Sequence, residues 1–221
     1  MTDTRPLWPE RPQRSGDIGE RRLYLCTPDR PDLAAFLDAC ITGGVDVVQL
    51  REKDLETRPL LERARLARNV CRERDVPFIL NDRPDLALEV QADGVHVGQE
   101  DAPPALARRL LGPGAIVGYS THAPEELDAA LAEPVDYLSV GPVEPTPTKP
   151  GRPGTGLGYL SYAAGRASIP WFVTGGVTPK TVPDMVAAGA SRFVVVRSLT
   201  EASDPKAAAH ELRQTIEHSL A

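Results

Sequence analysis

Three cations, two carboxylates and a few neutral donors recur in this chain, each just after a short apolar run. Gln49, Arg51 and Lys53 follow one such run, Asn81 and Asp82 the next, and His96, Gln99 and Asp101 the one after. Further along come Ser120, Thr121 and His122, then Thr146, Thr148 and Lys149, then the pair Gly175-Gly176, and finally Arg197 and Ser198. Magnesium is usually held by one or two carboxylates, with waters and substrate phosphates completing its shell. Asp82 and Asp101 beside Arg51, Lys53 and Lys149 therefore fit a magnesium-bound diphosphate. The alternative for the aspartates is helix capping or pairing with Arg51 or Arg83, and for Arg51–Lys53 a solvated charge run. Gly175-Gly176, placed between a strand and a helix expected to open at Thr178, offers backbone N–H groups and a helix dipole to a second anion. No His/Cys cluster has zinc spacing, and there is neither a GxGxxG string nor a nucleophile elbow.

Elements that would gather such residues follow from the apolar pattern. Strands are expected at 23–26, 45–50, 78–80, 94–97, 116–119, 137–140, 171–174 and 193–196. Several are continuous β-branched runs, as in strands covered on both faces. Helices are expected near 31–42, 103–111, 123–132 and 157–167. Another begins at Thr57 as cap, with Leu60, Ala64, Ala67 and Cys71 on one face. One more runs from Thr178 to Gly189, and a last one opens at Asp204 and Pro205 with Ala209, Leu212 and Ile216 inward. Alternating strands and helices over about 200 residues predict a single α/β (β/α)8 barrel, with a doubly wound open sheet as the alternative. In such a barrel the strand C-termini carry the chemistry, and that is where the reactive residues fall. The loop 141–156 is rich in proline and glycine and unusually long, as functional loops often are.

Composition narrows the rest. A net charge of −6 over 221 residues argues against general nucleic-acid binding. Cys26, Cys40 and Cys71 have no CxxC spacing and read as buried small residues of a reduced, cytoplasmic protein. No apolar run reaches membrane-spanning length, and the opening stretch lacks a signal-peptide core. Residues 1–21 are expected to form a flexible arm and 22–221 the catalytic barrel.

The strings VVQLREKD, FILNDRPDLAL, DGVHVGQEDAP, VGYSTHAPEEL, VGPVEPTPTKP, FVTGGVTP and VVVRSLTEASDP, in this order, resemble the thiamine phosphate synthase family. The resemblance implies a transferase that condenses an aminopyrimidine-methyl diphosphate with a thiazole phosphate, plain or carboxylated, in thiamine biosynthesis. It implies that Gln49, Leu50, Arg51, Glu52, Lys53, Asn81, Ser120 and Lys149 hold the pyrimidine diphosphate. Arg51, Lys53, Ser120 and Lys149 among them would serve catalysis. Asp82 and Asp101 would hold Mg2+, and Thr146, Pro147, Thr148, Gly176, Val196 and Arg197 would meet the thiazole phosphate. Many family members carry a serine in place of Arg197, so a guanidinium here replaces a hydroxyl. Partners would be these two small molecules, with neither nucleic acid nor membrane, and homo-oligomerisation is compatible with the family. Two other readings use the same fold: a thiazole tautomerase, which needs neither the aspartates nor the lysines, and a non-catalytic phosphate-ligand sensor.

Overall fold

The computed structural model of the chain describes residues 18–145 and 153–221. Eight parallel strands close into a barrel in sequence order, with β8 pairing back onto β1. The elements run β1 (Leu23–Thr27), α1 (Leu33–Thr42), β2 (Val47–Leu50), α2 (Thr57–Glu73), β3 (Phe78–Asn81), α3 (Pro84–Glu89), β4 (Gly94–Val97) and α4 (Pro104–Leu111). They continue with β5 (Ile116–Thr121), α5 (Pro124–Ala130), β6 (Tyr137–Val140), α6 (Gly156–Arg166), β7 (Trp171–Val173), α7 (Val182–Ala187), β8 (Phe193–Val195), α8 (Arg197–Thr200) and α9 (Pro205–Leu220). The last helix packs against both α7 and α1 and closes the outer ring. This is the expected (β/α)8 barrel. No described helix is long and apolar enough to cross a membrane.

The continuous apolar strands are buried on both faces because helices cover the outside and side chains fill the inside. Val48 and Leu50 join the large outer core, whereas Val47 points inward. Burying each such side chain contributes about 1.5–3 kcal/mol. The helix stripes behave as their spacing predicts: Leu60, Ala64, Ala67 and Cys71 are the buried residues of α2, and Ala209, Leu212 and Ile216 those of α9. The Asp204 carboxylate accepts from the Ala207 amide at 3.0 Å, capping α9. Thr57 does not cap α2. It is already helical, Glu56 holds the cap position, and neither side chain makes a capping bond.

Two short helices escaped the periodicity: α3, with six residues, and α8, with four. The helix expected from Thr178 begins instead at Val182. Thr178 and Thr181 bond to each other, and the Thr181 hydroxyl donates to the Gly176 carbonyl at 2.6 Å, so the preceding residues form a turn.

At the N-terminal end of the barrel, Ile18 inserts beneath Tyr24, Val47, Ile79, Tyr137 and Phe172. Residues 18–20 form a 3-10 turn whose Gly19 carbonyl accepts from Arg192 Nε at 2.8 Å. The expected arm thus does not extend to residue 21: an apolar plug is too short to show a period. Residues 1–17 lie outside the described residues. The same end carries three aspartates in equivalent places. Asp46, one residue before β2, accepts from the Leu23 amide at 2.9 Å; Asp93, before β4, from Phe78 at 2.8 Å; Asp136, before β6, from Val117 at 2.6 Å. Each ties the start of one strand to its neighbour.

Candidate active site

At the opposite end, the strand C-termini surround a cavity of about 580 Å3. Gln49, Arg51, Lys53, Asn81, Asp82, Asp101, Ser120, Gly176, Val196 and Arg197 all line it. Leu50 and Glu52 do not. Side chains alternate along β2, so Leu50 turns into the helix layer and is 1% exposed. Glu52 is occupied by loop amides, accepting from Asp29 at 3.1 Å and Asp54 at 3.0 Å. Thr146, Pro147, Thr148 and Lys149 lie outside the described residues.

Asp82 and Asp101 both line the cavity, near enough for the charge of one to bear on the other. Burial and then the neighbouring Asp101 push the Asp82 carboxyl above the usual range, and Lys53 pulls the other way. Lys53 Nζ stands 3.0 Å from Asp82 Oδ2. Arg83 turns away to Asp85 at 2.7 Å, so the alternative pairing of Asp82 with Arg83 is not formed. Asp82 has φ +61°, a left-handed conformation in which Asp and Asn are favoured among non-glycine residues. Its amide donates to the His96 carbonyl at 2.8 Å, which carries the β3 end across to β4. Asp101 Oδ2 accepts from the Gly98 amide at 2.8 Å.

Asn81 is 7% exposed, and its Nδ2 donor has no partner among the described residues. A buried donor left unpaired costs about 1–3 kcal/mol, so an acceptor in the cavity is expected to meet it. Two carboxylates lining one cavity likewise call for a proton or a cation. A divalent ion that takes part of its shell from anionic oxygens fits this donor set.

The far wall is built differently. Gly175 and Gly176 both have positive φ, +86° and +75°, and turn the chain tightly after β7. They line the cavity as a turn rather than as a helix end, since α7 opens only at Val182. Arg197 begins α8. Among the described residues no ion pair joins it to Glu201, the alternative surface role.

Residues that the sequence reading did not place in the site form the floor: Tyr24, Cys26, Tyr137 and Ser139 line the cavity from β1 and β6. Cys26 is buried as expected but also donates to Gln49 Oε1 at 3.2 Å. Apolar-looking strands disguised these tyrosines as core, which they also are. His96 is a fully bonded buried histidine, and His122 is held by Glu126 at 2.9 Å.

Residues 23–199 match the family described as thiamine monophosphate synthase. A thiamine-phosphate synthase of Thermus thermophilus is 50% identical over 201 residues, covering 88% of this chain and 97% of its own. One from Nostoc punctiforme is 48% identical over 193 residues, or 87% of this chain, which spans only 55% of that protein's length. A solved thiamine phosphate pyrophosphorylase from Pyrococcus furiosus superposes with a TM-score of 0.83 at 31% identity, covering 92% of this chain and 98% of that one. The sequence motifs and these likenesses agree: the chain belongs to the thiamine monophosphate synthase family.

Proposed function

We propose that this chain joins an aminopyrimidine-methyl diphosphate to a thiazole phosphate, plain or carboxylated, giving thiamine phosphate and pyrophosphate, with carbon dioxide also released when the thiazole is carboxylated. The observation that carries the reading is the gathering of Asp82 and Asp101 in one cavity, with Lys53 3.0 Å from Asp82 and an Asn81 donor that has no partner among the described residues. A tautomerase has no use for that group.

Asp82 and Asp101 would hold Mg2+, which when bound supplies positive charge to the departing diphosphate. Arg51, Lys53 and Asn81 bind and orient the diphosphate oxygens. Gln49 and Ser120 face the pyrimidine. The bond from the pyrimidine methylene to the diphosphate oxygen breaks, and its electron pair leaves with the diphosphate. The lone pair of the thiazole nitrogen then forms the new carbon–nitrogen bond. Such a step needs little proton transfer and much stabilisation of departing charge, the chemistry that cations and fixed donors provide. The Gly176 turn, Val196 and Arg197 hold the thiazole phosphate, with Thr146, Pro147 and Thr148 of the long loop. Lys149 of that loop would add a further positive charge to the diphosphate. The three thiols, all free and buried, support a reducing, cytoplasmic setting.

The test is an assay with both substrates, following thiamine phosphate and pyrophosphate together. Stoichiometric formation of both, abolished by chelator and restored by Mg2+, is the expected result. Turnover of a thiazole phosphate alone, without pyrimidine diphosphate, would replace this reading with the tautomerase.

A further inference from the structure

The floor of the cavity holds one continuous chain of hydrogen bonds. Cys26 Sγ bonds Gln49 Oε1 at 3.2 Å, and Gln49 Nε2 bonds the Tyr24 hydroxyl at 2.7 Å. The Tyr24 and Tyr137 hydroxyls are 2.8 Å apart. Tyr137 meets His96 Nδ1 at 3.0 Å, and His96 Nε2 meets Ser120 Oγ at 2.9 Å. The chain exists because Gly118 has no side chain. A Cβ there would stand 2.1 Å from Tyr137 Cζ and 2.5 Å from His96 Nδ1. Tyr137 on β6 thus reaches past β5 to touch His96 on β4, and the two rings stack with centroids 5.5 Å apart.

These bonds have a direction. The Gln49 carboxamide nitrogen can only donate, so the Tyr24 oxygen accepts from it. Tyr24 is 1% exposed, and the remaining acceptor within its reach is the Tyr137 oxygen. Tyr24 therefore donates to Tyr137. Tyr137 is fully buried, so its own proton goes to His96 Nδ1. Burial keeps both phenols protonated, each raised well above the ordinary tyrosine range. A neutral imidazole that accepts at Nδ1 carries its proton on Nε2 and donates to Ser120. Ser139 Oγ also donates to Ser120, at 3.3 Å. Both inward positions on the Ser120 oxygen are then filled, and its proton is left for the cavity.

We propose that Tyr137 and His96 are positioning residues that make Ser120 a dedicated hydrogen-bond donor to an acceptor atom of the pyrimidine diphosphate. This rests on the proposed reaction for the identity of that ligand. The direction of the chain itself does not.

Two measurements on the full chain test it. The first is the ring nitrogen-15 spectrum of histidine-labelled protein without substrate, with the His96 signals assigned by their loss in His96→Gln. A protonated Nε2 and an unprotonated Nδ1 are expected. The opposite tautomer would reverse the chain, make Ser120 an acceptor's partner and overturn the proposal, whatever the enzyme's substrate. The second is steady-state kinetics with each substrate varied in turn. Tyr137→Phe is expected to raise KM for the pyrimidine diphosphate about three- to tenfold, the cost of one neutral hydrogen bond, and to leave that for the thiazole phosphate within about twofold. His96→Gln, whose amide nitrogen can reach the Nε2 position, should retain more of that affinity than His96→Leu. Equal loss for both substrates in folded Tyr137→Phe, or no advantage of Gln over Leu, would contradict the positioning role. If wild-type protein fails to use a pyrimidine diphosphate at all, the reaction falls while the tautomer still reports on the chain.

Discussion

The two ends of the barrel use the same residue for opposite purposes. At the N-terminal end Asp46, Asp93 and Asp136 each accept backbone N–H bonds from a neighbouring strand, and Asp46 also holds Arg213 at 2.6 Å. At the C-terminal end Asp82 and Asp101 face one another, with a half-exposed lysine as the charged neighbour of Asp82. A carboxylate whose lone pairs are satisfied by backbone holds the fold. Two carboxylates gathered in one cavity keep lone pairs for a cation, and that difference marks function.

The largest expected effect breaks the upper pair. Asp82→Asn keeps the side-chain shape and tolerates φ +61°, so it removes charge without straining the turn. We expect kcat to fall by about a hundred- to a thousandfold with the melting temperature nearly unchanged, and Asp101→Asn to behave alike. Steady-state kinetics at saturating Mg2+ together with thermal melts check this. Substitution at the lower end should do the reverse. Asp46→Ala strands the Arg22 and Leu23 amides and Arg213, and is expected to cost about 2–3 kcal/mol in urea unfolding. Its kcat at a temperature where it stays folded should match the parent chain.

Much of this asymmetry was legible in the sequence. Strand ends at 50, 97 and 140 could be read from β-branched runs, and the reactive residues clustered after them. The side chains of Leu50 and Glu52 fall outside the cavity lining because neighbours along a strand end share a sequence string but not a face. Tyr24 and Tyr137 were hidden because a buried tyrosine in an apolar strand reads as core, and the polar chain it serves appears only when β1 and β6 meet across the barrel. Ile18 gave no signal, since one apolar residue in a polar stretch has no period. The three N-terminal aspartates were visible, but nothing in their spacing told clamp from ligand.

The wall opposite Asp82 should respond more weakly. Arg197 is exposed at the start of α8, so Arg197→Ala is expected to raise KM for the thiazole phosphate about tenfold and to spare that for the pyrimidine diphosphate. Arg197→Ser should recover part of the loss. Varying one substrate at a time decides it, and an unchanged thiazole phosphate KM would remove Arg197 from the site.

The smallest effect is in pH dependence. The folded carboxyl of Asp82 is raised above its unfolded value of 3.8, so the folded chain holds the proton more tightly. Its contribution to stability is therefore present below that value and is lost as pH rises through the raised one. Without divalent cation, Asp82→Asn should flatten that decline in melts taken across the acid range. Mg2+ should favour the parent chain at neutral pH and lose its effect as Asp82 becomes protonated.

The most direct test is calorimetric titration of magnesium pyrophosphate into the parent chain, Asp82→Asn and Asp46→Asn. Binding to the parent and to Asp46→Asn, with at least a tenfold loss in Asp82→Asn, is what the two-ended account predicts. Equal affinity in all three proteins, or a loss confined to Asp46→Asn, would contradict it.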